Sequence, residues 1–300
     1  MIRLVSLKGL LLFLFLAGCT IERQTLFIPT VDNNVCKTLL GNVVLYAIFV
    51  DTKYTKPWSE YDVQSTLDSI NKTVAWIEQT AANFGHYVDI KVCYHQDNRG
   101  SIPIAQDFPS KTLSGTLFSR FRGGNLKAID RWANSIASVA GKSLPKDTSR
   151  LIKTKNSLND RERLIARLRD IYRTDNVALM FFINNYYTNE VSVALYTGSD
   201  YEIEYAVVSY KKPAVIGHEF LHLFGAMDLY ITPFDNKKKA QKKKNLAMKE
   251  FPTEIMAFPY RSLDSLNLSQ LTRYCIGWDK QLDKRYQDML FGKKLRAAKY

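Results

Sequence analysis

Hydrophobic residues along this chain form continuous runs, alternating stretches and helical repeats. Together these patterns predict strands and helices that follow one another. Continuous apolar runs at 43–50 and 177–183, rich in β-branched and aromatic residues, indicate strands that are buried on both faces. Residues 88–94 alternate and predict another strand. Ser59 is placed to cap a helix that runs to about Phe84, with apolar residues every three or four positions. The order strand, helix, strand favours a parallel pair of strands joined by a crossover helix.

The middle of the chain adds helices and short strands to this pattern. Helices are predicted around 126–140 and 160–172. Two short strands are predicted at 191–196 and 205–210, where an antiparallel pairing would suit them. Pro213 suits the first turn of the next helix, because the N–H that proline lacks would be unpaired there in any case. We therefore predict an α/β (α+β) fold, in which a sheet has a helix beneath it and a smaller, mainly helical C-terminal part closes a cleft.

The first residues predict that the protein is exported. Arg3 and Lys8 precede a continuous apolar run at 10–16, which is too short to span a bilayer as a mature helix. Residues 16–19 resemble the lipobox of bacterial lipoproteins, which implies cleavage before Cys19 and lipidation of that residue. The alternatives are an ordinary signal peptide with a chance cysteine, or an uncleaved anchor.

On this interpretation the chain has three parts. A lipoprotein signal peptide occupies 1–18, a polar tether 19–40 and one large domain 41–300. An N-terminal sheet subdomain would span about 41–227, and the C-terminal subdomain about 228–300. The residue after the lipidated cysteine is not aspartate, which favours the outer membrane or the cell surface if the cell is Gram-negative.

Composition and net charge narrow the classes of binding partner but do not identify one. The 300 residues carry a formal net charge of +13, which falls to +11 when residues 1–18, with two basic groups and no acid, are removed. A basic exported protein suits anionic lipid headgroups, surface polyanions or acidic substrates. Because no nucleic-acid motif is present, we expect no nucleic-acid partner. One disulfide can form among the cysteines that remain after the lipidated one, and its pairing stays open: Cys36, Cys93 and Cys275.

The strongest chemical feature is the pattern H-E-x-x-H-x-x-G-x-x-D that begins at His218. On a helix, His218 and His222 lie one turn apart on the same face, so their imidazoles can bind one ion together. Glu219 can reach a metal-bound water without occupying a coordination position. Gly225 can end the helix in the left-handed conformation, after which the chain brings back Asp228 as a third ligand. Three protein ligands and one open position are typical of catalytic zinc. The simpler alternative is that the two histidines are hydrogen-bonded residues of the core and bind no metal.

This pattern resembles that of the metzincin clan of zinc endopeptidases, with aspartate in place of the more common third histidine. Residues 254–257 resemble the Met-turn of the clan, which would place Met256 beneath the metal, and 268–278 resemble the helix that follows it. The resemblance implies a metzincin-like twisted mixed sheet, an active-site helix, a smaller helical C-terminal subdomain and one catalytic Zn²⁺.

The chain departs from the clan at one position. Some metzincins have a tyrosine two residues after the Met-turn methionine, where it can assist the metal. Here that position is Phe258. This role, which is to bind the substrate or to stabilise an oxyanion, is therefore either absent here or filled by Tyr260 or Tyr210.

The activity that the resemblance implies is a membrane-anchored, zinc-dependent endopeptidase that acts on protein or peptide substrates. Its lipid contact would be acylated Cys19. Glu219 would take a proton as zinc-bound water attacks the peptide carbonyl, and would deliver it to the departing amine. Two other functions fit the residues. One is a non-proteolytic zinc-binding surface lipoprotein for adhesion or assembly, against which the intact Glu219 argues. The other is a hydrolase of peptidoglycan peptides.

A lysine-rich segment interrupts the motif region. Between Asp228 and Met256, residues 237–244 contain six lysines. Mutual repulsion of these charges predicts a solvated, mobile loop. The alternative is a functional surface that steers acidic substrate or contacts an anionic membrane beside the cleft.

Overall fold

Strands and helices alternate through most of the chain, as the apolar pattern predicts. A computed structural model describes residues 38–53, 55–109, 124–144, 159–184, 192–195, 204–209, 211–230 and 237–287. The strands in these ranges are β1 (Gly41–Asp51), β2 (Val88–Tyr94), β3 (Ile104–Ala105), β4 (Asn176–Ile183), β5 (Ser192–Leu195) and β6 (Tyr205–Val208). The α-helices are α1 (Glu60–Asn83), α2 (Gly124–Ser143), α3 (Asp160–Tyr172), α4 (Pro213–His222), α5 (Lys237–Glu250) and α6 (Gln270–Cys275).

The strands form one mixed sheet with the order β2-β1-β4-β6-β5, and β3 also pairs with β1. Strand β1 is parallel to both β2 and β4, and β4 is parallel to β6. Strand β5 runs antiparallel to β6 at the edge of the described sheet. The predicted α/β class, the parallel β1–β2 pair and the antiparallel pairing of the two short strands are confirmed.

Both faces of the sheet are covered, which explains why β1 is apolar at almost every position. Leu45, Ala47 and Phe49 face one core, which also contains residues of α1, α4 and the C-terminal part. The alternate residues Tyr46 and Ile48 face a second core, built with α2 and α3. Full burial of a large apolar side chain stabilises a fold by about 1.5–3 kcal/mol, so the strand anchors both layers.

Helix α1 forms the platform on which α4 rests. Its N-cap is Ser59, as predicted, and Oγ of Ser59 accepts a hydrogen bond from the backbone N–H of Asp62 at 3.1 Å. In the middle of α1, the hydroxyl of Thr73 donates to the backbone carbonyl of Pro213 at 2.8 Å. Pro213 is in the first turn of α4, as its missing N–H predicts. This contact fixes where α4 begins against α1.

The last three residues of the predicted tether, 38–40, are described by the structure and pack on the rest of the domain. Leu39 is fully buried, and its backbone N–H donates to the carbonyl of Ile276 at 2.9 Å. The indole N–H of Trp278 donates back to the carbonyl of Leu39 at 2.6 Å. Residues 38–40 therefore belong to the folded domain, because they pack on the C-terminal segment rather than lying in solvent.

The lysine-rich segment is a helix and not a loop. Helix α5 (Lys237–Glu250) continues past the lysines through an apolar turn that contains Leu246 and Ala247. Ala247 is fully buried, so tertiary packing outweighs the repulsion of the lysines.

Other predictions concern the ends of the chain and the cysteines. Cys93 and Cys275 are free thiols. Residues 1–37, including Cys19 and Cys36, lie outside the described residues. Among the described helices, none combines the length and the apolar character needed to cross a membrane.

Candidate metal centre

Helix α4 carries the motif in a buried position beneath the sheet. Residues 214–221 of this short helix are all buried. A Cβ atom at Gly217 would lie 3.2 Å from Cγ2 of Thr73 and 3.3 Å from Cδ1 of Ile255, both tighter than ordinary contact. The glycine before His218 therefore allows α4 to approach α1 on one side and the 254–257 turn on the other.

The turn after α4 returns the third candidate ligand to the helix. Gly225 has a φ of +95°, in the left-handed region that favours glycine, as the sequence predicts. The backbone N–H of Gly225 donates to the carbonyl of His222 at 2.9 Å, and that of Ala226 donates to Leu221 at 3.1 Å. These bonds close the helix and direct Asp228 back toward the histidines.

His218, His222 and Asp228 together can hold a metal ion. The Nε2 atoms of the two histidines lie 3.1 Å apart, and each lies 3.1 Å from Oδ1 of Asp228. Three donors bound at about 2.0–2.1 Å to one tetrahedral ion would lie about 3.3 Å from one another. The observed spacing is close to this value, so the donor set fits an ion of the size of zinc.

Backbone carbonyls orient both imidazoles. Nδ1 of His222 lies 2.7 Å from the carbonyl oxygen of Ala226, and Nδ1 of His218 lies 3.3 Å from that of Ile255. A carbonyl oxygen only accepts, so Nδ1 carries a hydrogen in each ring, and Nε2 is the nitrogen that would bind a metal ion in exchange for any proton it holds.

The turn at 254–257 supports the ligands from below. Besides the contact between Ile255 and His218, the backbone carbonyl of Met256 accepts a hydrogen bond at 3.0 Å from the N–H of Leu229, the residue after Asp228. Met256 itself is fully buried in the core that contains α4. One turn thus contacts both the helix and the returning segment that carry the candidate ligands. The role of the Met256 side chain beneath a metal stays a prediction.

Glu254 holds this turn in place. Its Oε1 accepts from the backbone N–H of Met256 at 3.0 Å, and its Oε2 accepts from the backbone N–H of Ser269, the N-cap of α6. Glu254 is 1 % exposed, and burial raises the pKa of its carboxyl although the hydrogen bonds from Met256, Ser269 and Thr272 oppose the shift. The carboxylate therefore links the turn beneath the metal position to the C-terminal helix.

Glu219 and Tyr230 complete the surroundings of the three ligands. Glu219 is 4 % exposed and follows His218 on α4. The ring of Tyr230 stacks on His218, with centroids 5.7 Å apart, and its hydroxyl lies 3.4 Å from Nε2 of that histidine. Burial, together with the carboxylates of Asp228 and Glu219, raises the pKa of Tyr230, so the phenol keeps its proton.

Tyr230 and Glu254 are the two residues of the centre to which the sequence analysis assigned no role. Tyr230 follows Asp228 by two residues, a spacing that puts both side chains on the same side of an extended segment. Of the predicted tyrosines, Tyr210 lies outside the described residues. Tyr260 is 64 % exposed, and its phenol is one of several groups that raise the pKa of Tyr230. Among the described tyrosines, Tyr230 is seen in direct contact with a candidate ligand, His218.

The charges at the centre predict how metal binding depends on pH. Burial lowers the pKa of His222, but the carboxylates of Asp228 and Glu219 more than offset this and raise the pKa to about 9. A metal ion must displace this proton, so protons compete with the metal more strongly as the pH falls. We expect the apparent zinc affinity to rise about tenfold per pH unit between about pH 6.5 and pH 8.5.

Competition with a chromophoric chelator at a series of pH values measures how steeply the zinc affinity changes with pH. This dependence should flatten as the pH approaches the pKa of His222. An affinity that does not change across this range would mean that His222 is already neutral at pH 6.5, and would contradict the electrostatic picture.

No protein-family model matches this chain, and no curated protein matches it by sequence.

Proposed function

We propose that this protein is a zinc-dependent endopeptidase of the metzincin type, held at a membrane by a lipid anchor on Cys19. The observation that carries the proposal is the convergence of His218, His222 and Asp228 around one point, with Glu219 next to the first ligand. Two imidazoles and one carboxylate form a donor set that suits Zn²⁺, and three protein ligands leave one position for substrate or water.

The residues of the site have separate roles in peptide hydrolysis. A bound zinc ion would supply Lewis acidity that activates water and polarises the scissile carbonyl. Glu219 accepts the proton of the attacking water and passes it to the amine that departs, which leaves the carboxylate ready for another cycle. Asp228 and the carbonyl-oriented histidines hold the centre in one geometry, so little reorganisation is needed during the reaction.

The edge of the sheet offers a position for an extended substrate. Strand β5 (Ser192–Leu195) is the last strand of the described sheet, and it lies next to α4. An edge strand presents unpaired backbone groups on one side, and an extended peptide can pair with them. A peptide bound in this way would run past the helix that carries Glu219.

Tyr230 is expected to stabilise the negative charge that develops on the substrate carbonyl. Its protonated hydroxyl lies within 3.4 Å of Nε2 of His218, beside the point where the ligands meet. Removing one such donor typically costs about 10²–10³-fold in kcat. We therefore expect Tyr230→Phe to lower kcat about 10²-fold while zinc affinity changes by less than about threefold.

The matched control for this substitution is Tyr61→Phe. Tyr61 is an exposed tyrosine on α1 with no role in the proposed site, and loss of its hydroxyl should change kcat by less than about threefold. Steady-state kinetics on a peptide substrate and a chelator titration of each variant measure the two quantities. Full activity in Tyr230→Phe would remove this residue from the mechanism.

The first test of the proposed function is zinc content and peptidase activity of the chain from residue 20 to 300, which contains every described element. One zinc per chain, with cleavage of unfolded protein substrates that a chelator abolishes, is the expected result. Zinc binding without cleavage of any peptide would favour the non-proteolytic lipoprotein. Release of muropeptide fragments without cleavage of proteins would favour the hydrolase of peptidoglycan peptides.

A further inference from the structure

Helix α5 (Lys237–Glu250) concentrates positive charge on one surface element. Half of its fourteen residues are lysines, and its only acidic residue is Glu250 at the C-terminus. The carboxylate of Glu250 accepts a hydrogen bond from the hydroxyl of Tyr286 at 3.3 Å and lies 3.7 Å from the guanidinium of Arg285. The acid of the helix is thus engaged with the C-terminal segment.

The exposed side chains of α5 form one continuous face. With 3.6 residues per turn, Lys238, Lys242 and Lys249 point in nearly the same direction, and all three are exposed. Met248 lies at the edge of the exposed arc, about 100° around the helix from these lysines, and is 51 % exposed. Ala247 lies on the side opposite the lysines and is buried in the core, against which Leu246 also packs. We call the face formed by Lys238, Lys242, Met248 and Lys249 the lysine face.

The charge pattern of α5 opposes the stability of the helix itself. Three lysines and no acid occupy the first turn, where the helix dipole is positive. Lys238 and Lys242 are four residues apart, a spacing at which like charges repel. A charge pattern that opposes the helix carrying it is typical of functional surfaces, and an anionic partner would offset the repulsion.

We propose that the lysine face docks on the anionic phospholipids of a bilayer. Clusters of lysines bind such headgroups at roughly 1 kcal/mol per residue near the surface, which is about a fivefold gain in affinity for each. Met248 adds an exposed apolar side chain at the edge of this face, and such a group can enter the interfacial region of a bilayer. This proposal does not depend on the metal centre.

The chemistry of the face favours a lipid surface over a macromolecular partner. Its cations are all lysines, which act as flexible point charges, whereas the planar fork of arginine marks sites for specific carboxylates and phosphates. It contains no aromatic residue on which a nucleic-acid base could stack.

The predicted anchor brings this face to a membrane. Between Cys19 and Thr38, the first described residue, the chain can extend at most about 65 Å, at roughly 3.4 Å per residue. A second, electrostatic contact converts a single lipid anchor into an oriented attachment. Because α5 ends four residues before Glu254, docking would hold the metal centre close to the bilayer surface.

The test is sedimentation of residues 20–300 with vesicles at low ionic strength. Vesicles of phosphatidylcholine with phosphatidylglycerol should bind the protein, and vesicles of phosphatidylcholine alone should not. The triple variant Lys238→Gln, Lys242→Gln, Lys249→Gln should bind on the order of 100-fold more weakly. Glutamine is also a good helix former, so α5 should persist, which circular dichroism checks.

The matched control removes the same charge from other exposed positions. The triple variant Lys72→Gln, Lys142→Gln, Lys280→Gln alters three exposed lysines on other elements and should lose less than about threefold in binding. Equal losses in both variants would mean that net charge alone causes binding, and would overturn the proposal. Tighter binding of wild type to DNA or to polyglutamate than to anionic vesicles would overturn it in favour of a polyanionic macromolecule.

Discussion

Replacing Glu219 by glutamine is expected to lower kcat/KM on a peptide substrate by about 10³-fold while zinc stays bound. The carboxylate lies next to a ligand but is not one of the three converging donors, so its loss removes a proton acceptor and not a metal contact. Glutamine keeps the size of the side chain and its helix propensity, so α4 should remain packed. Peptidase kinetics and zinc analysis on the same preparation measure both effects.

A suitable control for this variant is Glu78→Gln. Glu78 is a half-buried glutamate on α1, and its Oε1 accepts a hydrogen bond from Ile90 at 2.7 Å, a role that the amide oxygen of glutamine can retain. We expect wild-type kinetics in this control. Activity within tenfold of wild type in Glu219→Gln would mean that the proton is taken elsewhere, and the proposed mechanism would be wrong.

Replacing Asp228 by alanine is expected to weaken zinc binding by about 10²–10³-fold, because roughly 10–16 kcal/mol of binding energy in a structural zinc site is about 2.5–4 kcal/mol for each of its four ligands. Two imidazoles on one helix would remain, with the position of the third donor lost. The same change removes the largest influence that raises the pKa of His222. Burial would then lower that pKa, so the residual zinc affinity should depend much less on pH.

Chelator competition with Asp228→Ala across a pH series tests both parts of this prediction. Asp264→Ala, at an exposed aspartate on the 3-10 turn Leu263–Ser265, is the control and should bind zinc like wild type. Unchanged zinc affinity in Asp228→Ala would show that the third ligand is another residue. Retention of zinc in His222→Ala as well would place the metal elsewhere in the protein.

Much of the fold could be predicted because its core elements have strong local patterns. The limits of β2 and α3 match the prediction, and α1 begins after the predicted N-cap Ser59. Strand β1 is apolar because it lies between two packed layers, and a run of that kind indicates a buried parallel strand without knowledge of the layers.

The errors came where tertiary contacts outweigh local preference. Seven lysines in α5 disfavour a helix, yet burial of Ala247 against the core keeps those residues helical. Leu39 follows a polar stretch that resembles a tether, but it is buried by contacts with residues more than 200 positions away. Neither contact can be predicted from the residues that neighbour it in sequence.

The sequence by itself determined the three candidate metal-binding donors of this protein. The spacing of His218 and His222 on a helix, and a glycine that ends the helix before Asp228, are local properties that fix the three side chains relative to one another. Only the tertiary structure decided what surrounds them. Tyr230 stacks on His218 because the chain turns back, and Glu254 supports the centre through hydrogen bonds to residues that are distant from α4 in sequence. Helical periodicity acts over a few residues, whereas hydrogen bonds and packing between distant segments form only when the whole domain folds.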